Sequence, residues 1–70
     1  MSAATALPLR DYAFVIGAVL REVREDAGLT RDDVARLSSG RVKVTTLASW
    51  ELGDRNISLW RLTELAHLYQ

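Results

Sequence analysis

Apolar residues recur along this chain at helical rather than alternating intervals. From Tyr12 to Ala27, the positions Ile16, Val19, Leu20, Val23 and Ala27 are separated by Arg21, Glu22, Arg24, Glu25 and Asp26, a spacing that predicts an amphipathic helix. Gly28 follows and suits the left-handed residue that closes a helix. Thr30 reads as the N-cap of a second helix running to about Leu37: its hydroxyl can accept from the Asp33 N–H, and Asp32 and Asp33 suit the positive helix end. That helix is expected to bury Val34, with Leu37 a further candidate. Ser38-Ser39-Gly40 breaks it.

A third helix is expected from Lys43 or Val44 to Leu52, with Leu47 and Trp50 on one face and Gly53 as its stop. The β-branched run Val42-Lys43-Val44-Thr45-Thr46 also fits a strand, but nothing else in the chain would pair with it. Ser58 caps a fourth helix with Leu62, Leu65, Ala66 and Tyr69 on its inner side. The fold class is therefore all-α, a compact bundle of four to five short helices. Its expected core is Ile16, Leu20, Val23, Leu29, Val34, Leu47, Trp50, Ile57, Leu62, Leu65 and Tyr69. Residues 1–10 are expected to form a flexible tail and 11–70 the domain.

Composition narrows the function classes. Seventy residues make one domain with a thin core. With no cysteine and one histidine, neither a disulfide framework nor a metal site is expected. No apolar stretch approaches the ~20 residues that span a bilayer, and the start lacks the basic region of a signal peptide. A cytoplasmic protein is expected. The nine basic and nine acidic residues cancel, which counts against a polyanion partner, yet they are not evenly spread. Between Val34 and Trp50 the charges are Arg36, Arg41 and Lys43, with no acid, while acids gather at Glu22, Glu25, Asp26, Asp32 and Asp33.

Several segments, in order, resemble the lambda-repressor-like (XRE) helix-turn-helix family. Ile16 to Glu25 looks like its first helix, and Gly28-Leu29-Thr30-Arg31-Asp32-Asp33-Val34-Ala35 like the opening of its second. Leu47-Ala48-Ser49-Trp50-Glu51-Leu52-Gly53 is similar to the end of its recognition helix, where Trp/Tyr-Glu-x-Gly is the most telling element, and Ser58 to Tyr69 to its fourth. The resemblance covers about residues 14–69. The turn between the second and third helices is longer than usual. With Gly53-Asp54-Arg55 and Arg61-Leu62-x-Glu64-Leu65-Ala66, it looks like the BldD-type developmental regulators of actinomycetes. The family's usual fifth helix is missing, so the natural chain is expected to continue past Gln70. Trp60 and Leu68 are expected to stay partly exposed, awaiting that chain or a second subunit.

The resemblance implies sequence-specific binding of double-stranded DNA by a transcriptional regulator, a repressor before an activator, associated with the nucleoid. Thr45 and Ser49 share one face of the third helix. Their hydroxyls suit base edges, and Val44 and the Thr45 methyl suit a thymine methyl. The expected base-contacting set is Lys43, Val44, Thr45, Thr46 and Ser49; Arg31, Arg41, Lys43 and Arg55 are the expected phosphate contacts. Each cation taken alone reads equally as solvated surface charge. The resemblance further implies a salt bridge between Arg24 and Glu51. Dimers, or monomers paired on DNA half-sites, are the expected assembly. His67 reads as a solvent-facing helix residue, and no nucleophile, base and acid converge, so no enzyme, cofactor or membrane association is expected. A second reading stays open: the same scaffold serving as a protein-interaction module, such as an antitoxin or adaptor.

Overall fold

The side chains that bury one face of the first helix are smaller than the periodicity of large apolar residues would suggest. In the computed structural model, which describes residues 9–70, helix α1 spans Leu9–Asp26, α2 Arg31–Leu37, α3 Val44–Leu52 and α4 Leu59–Leu68. There is no strand among the described residues. Helix α1 packs on α3 through Ala13, Gly17, Leu20 and Arg24, all buried. A Cβ on Gly17 would lie 2.3 Å from the Trp50 carbonyl oxygen, so glycine is what lets the two backbones meet there. Ile16 and Val23, expected in the core, are instead 40% and 42% exposed because they stand beside this small-residue face, not on it.

Helix α1 also begins earlier than the apolar rhythm suggested. Leu9 and Arg10 of the expected tail belong to its first turn, where Asp11 complements the positive helix end; residues 1–8 lie outside the described residues. The core proper is Leu20, Val34, Val42, Leu47, Trp50, Leu65 and Tyr69, with Leu29, Ile57, Leu62 and Leu68 packed against it. Val42 was not among the expected core residues, yet it is fully buried, as are Val34, Leu47 and Leu65. Leu37 of α2 is half exposed; in α4 Ala66 is exposed, and the helix faces inward through Leu62, Leu65 and Leu68, with Tyr69 at its C-cap. Leu68 is half-buried, while Trp60 is 70% exposed.

The long α2–α3 turn is held by its own polar groups. Ser38 Oγ donates to the Ala35 carbonyl (3.0 Å) and accepts from the Val42 N–H (3.0 Å), drawing Val42 into the core. Ser39 and Gly40 both have left-handed backbones (φ 56° and 79°). The Thr30 hydroxyl accepts from the Asp33 N–H, and the Asp33 carboxylate accepts from the Thr30 N–H, a reciprocal cap on α2. These bonds hold the Asp33 carboxyl below the usual range.

Candidate nucleic-acid interface

Helix α3 is fixed from its inner side and left open on its outer side. Leu47, Trp50 and Glu51 are buried, whereas Lys43 and Thr45 are exposed and Val44, Thr46 and Ser49 half-buried. Thr45 and Ser49 therefore share an outer face. Leu52, three residues further and 58% exposed, extends it, and sequence reasoning had assigned that residue no role. The signal was its i+7 position from Thr45. Lys43 is the N-cap in extended conformation, without a side-chain cap bond, and the first turn holds no acid. The leading N–H groups of α3 thus keep their partial positive charge unscreened by a side chain.

Gly53 closes α3 in the left-handed region (φ 80°), and a Cβ there would also meet the Phe14 backbone at 2.8 Å. Its N–H bonds to the Trp50 carbonyl (3.2 Å) and that of Asp54 to the Ser49 carbonyl (2.9 Å). Arg55 follows in an exposed turn.

The buried Glu51 carboxylate anchors the helix. Arg24 meets it in a two-pronged pair, Nε to Oε2 at 2.7 Å and Nη2 to Oε1 at 3.0 Å, and a third bond runs from Arg24 Nη1 to the Leu29 carbonyl (2.8 Å). Arg31, at the start of α2, adds Nε to Oε1 at 3.0 Å. Burial pushes the Glu51 carboxyl up, but the hydrogen bonds and charges of Arg24 and Arg31 together outweigh it and leave it below its ordinary value. The bond to Glu51 correspondingly raises the Arg24 guanidinium.

The cations expected at phosphates are therefore not equivalent. Arg31 is tied to Glu51 through Nε, with its side chain 31% exposed. Arg41 is exposed but ion-paired with Glu64. Arg61 also reaches Glu64 (3.1 Å), donates to the Arg41 carbonyl (3.0 Å) and lies over the Trp50 ring, 5.9 Å from its centroid. Lys43 and Arg55 form no ion pair among the described residues. Among the described residues no group of side chains could hold a metal ion, and no helix is long and apolar enough to cross a membrane.

A buried three-helix arrangement with an open, uncapped third helix defines a class. Residues 15–70 match the model of the helix-turn-helix domain family, and the chain belongs to that family. It is similar to the solved structure of the S. venezulae BldD DNA-binding domain, with 42% identity over 84% of this chain and 86% of that one and a TM-score of 0.78. A crystal structure of the DNA-binding domain of BldD is likewise 42% identical, over 86% of this chain and 84% of that one, with a TM-score of 0.80. These likenesses meet the expected resemblance to BldD-type regulators. No curated protein matches the chain.

Proposed function

We propose that this chain is the DNA-binding domain of a transcriptional regulator, a repressor rather than an activator, and not an enzyme. In this reading α3 enters the major groove of double-stranded DNA while α2 crosses the backbone. The observation that carries it is the 42% identity to the BldD DNA-binding domain over 84% of the chain. The outer face of α3 supplies the means. Thr45 and Ser49 read base edges, with Lys43, Val44 and Thr46 at the margins and Leu52 offering an apolar contact to a thymine methyl. Lys43 and Arg55 contact phosphate directly. Arg31 does so with the end of the guanidinium that Glu51 does not use, and Arg41 by sharing itself between Glu64 and the backbone. Phosphate contacts give most of the affinity, base contacts the preference.

The domain is a monomer in solution that occupies half-sites about 10 bp or a multiple apart, because paired recognition helices must meet the same side of the duplex. It acts in the cytoplasm, on the nucleoid, and needs no metal or cofactor. Fluorescence anisotropy with a random-sequence duplex tests the reading. Affinity is expected to fall steeply between about 50 and 200 mM salt, as counterion release requires. A chain that binds no duplex at the lower salt overturns it. The zero net charge favours the alternative of a protein-interaction module, and that outcome would select it.

A further inference from the structure

The outer side of α1 is used neither by the fold nor by the proposed groove contact. Val15, Ile16, Val19 and Val23 run along one side of the helix and are 49%, 40%, 53% and 42% exposed. Single exposed aliphatic residues are ordinary, but a contiguous strip of them marks a contact surface. Beside it runs a second row at helical spacing, Asp11, Val15, Ala18, Glu22 and Asp26, which carries three carboxylates and no base. At about 100° per residue this row faces away from the Ala13–Gly17–Leu20–Arg24 side that packs on α3. Arg21, on the far edge, is paired with Glu25 (3.3 Å).

We propose that this face docks a helix of another protein, one whose aliphatic stripe is edged by lysine and arginine. Charge selects that occupant over a second copy of this chain. Antiparallel pairing of two α1 stripes brings Asp11 of one chain toward Asp26 of the other. Parallel pairing about a twofold axis sets each acidic row beside the uncharged Ile16 and Val23 edge of the other stripe. Neither arrangement gives the carboxylates a counter-charge, whereas a cationic helix turns each carboxylate into an attractive neighbour. Because α1 meets α3 through its other side, the partner and the outer face of α3 are engaged independently.

An NMR titration of the 70-residue chain tests this with two synthetic helical peptides that share one leucine stripe. One peptide is edged with lysine, the other with glutamate. The lysine peptide is expected to shift the amides between Val15 and Asp26, leave Thr45 and Ser49 unmoved, and bind about tenfold more tightly than its acidic counterpart. The double variant Glu22→Lys/Asp26→Lys, at two exposed positions and with an unchanged circular dichroism spectrum, should reverse the preference. Equal binding of the two peptides overturns the proposal, as does failure of both to bind. Shifts centred on Leu37 and Trp60, or self-association through α1 in sedimentation, would assign the face or its occupant differently and also overturn it.

Discussion

Removing the charge of Glu51 isolates what holds α3 in place. In Glu51→Gln the volume is kept, but Arg24, only 7% exposed, retains its charge without a counter-charge. Stranding one member of a buried pair costs ~3–5 kcal/mol. The lower end applies here, because Arg24 keeps its bond to the Leu29 carbonyl and the new amide oxygen still accepts one hydrogen bond. At roughly 0.05–0.15 kcal/mol per residue, the whole domain holds only about 4–10 kcal/mol. The variant should therefore sit close to its unfolding transition at room temperature. Urea melts followed by tryptophan fluorescence measure this well, since Trp50 is 6% exposed and reports opening while Trp60 is 70% exposed in the fold. The acid limb gives a second reading. A carboxyl lowered by folding contributes stability that is fully present above its ordinary value of 4.5 and is lost as pH falls through the lower folded value. Glu51→Gln should flatten that limb. The paired change Arg24→Met/Glu51→Leu should recover much of the loss, since an apolar pair of similar volume has no charge to strand. A single variant within about 1 kcal/mol of the parent, with the same acid limb, would refute this account of how α3 is anchored.

Four further outcomes follow from particular contacts. Gly17→Ala should destabilise by ~1–3 kcal/mol despite the better helix propensity of alanine, since the new Cβ meets the Trp50 carbonyl; a more stable variant in a thermal melt would contradict the close crossing. Tyr69→Phe should be neutral or stabilising, because the buried hydroxyl has no hydrogen-bond partner among the described residues and burial pushes it up to about 12; a loss above about 1 kcal/mol in urea would show that the hydroxyl is satisfied. Lys43→Ala and Arg55→Ala should each lower the log–log salt slope of DNA binding by roughly 0.9, and unchanged slopes would remove them from the phosphate set. Thr45→Ala and Ser49→Ala should leave the slope alone and alter sequence preference by ~1–3 kcal/mol per lost contact, as selection from random duplexes will show.

Much of the fold was legible because its signals are local. The cap at Thr30, the stop at Gly53 and the cap at Ser58 each depend on a residue and its near neighbours, and the structure places all three in those roles. What was not legible depends on which elements touch. The packed face of α1 is marked by Ala13 and Gly17, too small to register as apolar periodicity, so the periodicity points instead to the larger Ile16 and Val23 beside it. Val42 looked like the start of a β-branched run, and only the two bonds of Ser38 show why the turn carries it inward. At the candidate interface, residue type offers side chains whose chemistry would suit DNA. Ion pairing could not be read in the same way: the partners of Arg31 and Arg41, Glu51 and Glu64, lie twenty and more residues away.

Those partners explain how so short a helix is aimed. Helix α3 has nine residues and no side-chain cap at its start, so its own hydrogen bonds hold it weakly. Its inner end is fixed by Glu51, a residue within the helix that grips α1 and α2 at once through Arg24 and Arg31. Its outer end is approached by the α2–α3 turn, where Arg61 of α4 binds both the Arg41 carbonyl and Glu64, and Glu64 in turn pairs with Arg41. The two clusters differ in burial, and that difference sets their work. Glu51 and Arg24 are buried, so their pair is costly to break, and with Arg31 at its rim it holds α3 against α1 and α2. Around Glu64 the side chain of Arg41 is 62% exposed, so that pair is worth little in water and breaks easily. A domain of this size can thus hold α3 from behind while the cation at the front of the turn stays free to change partners.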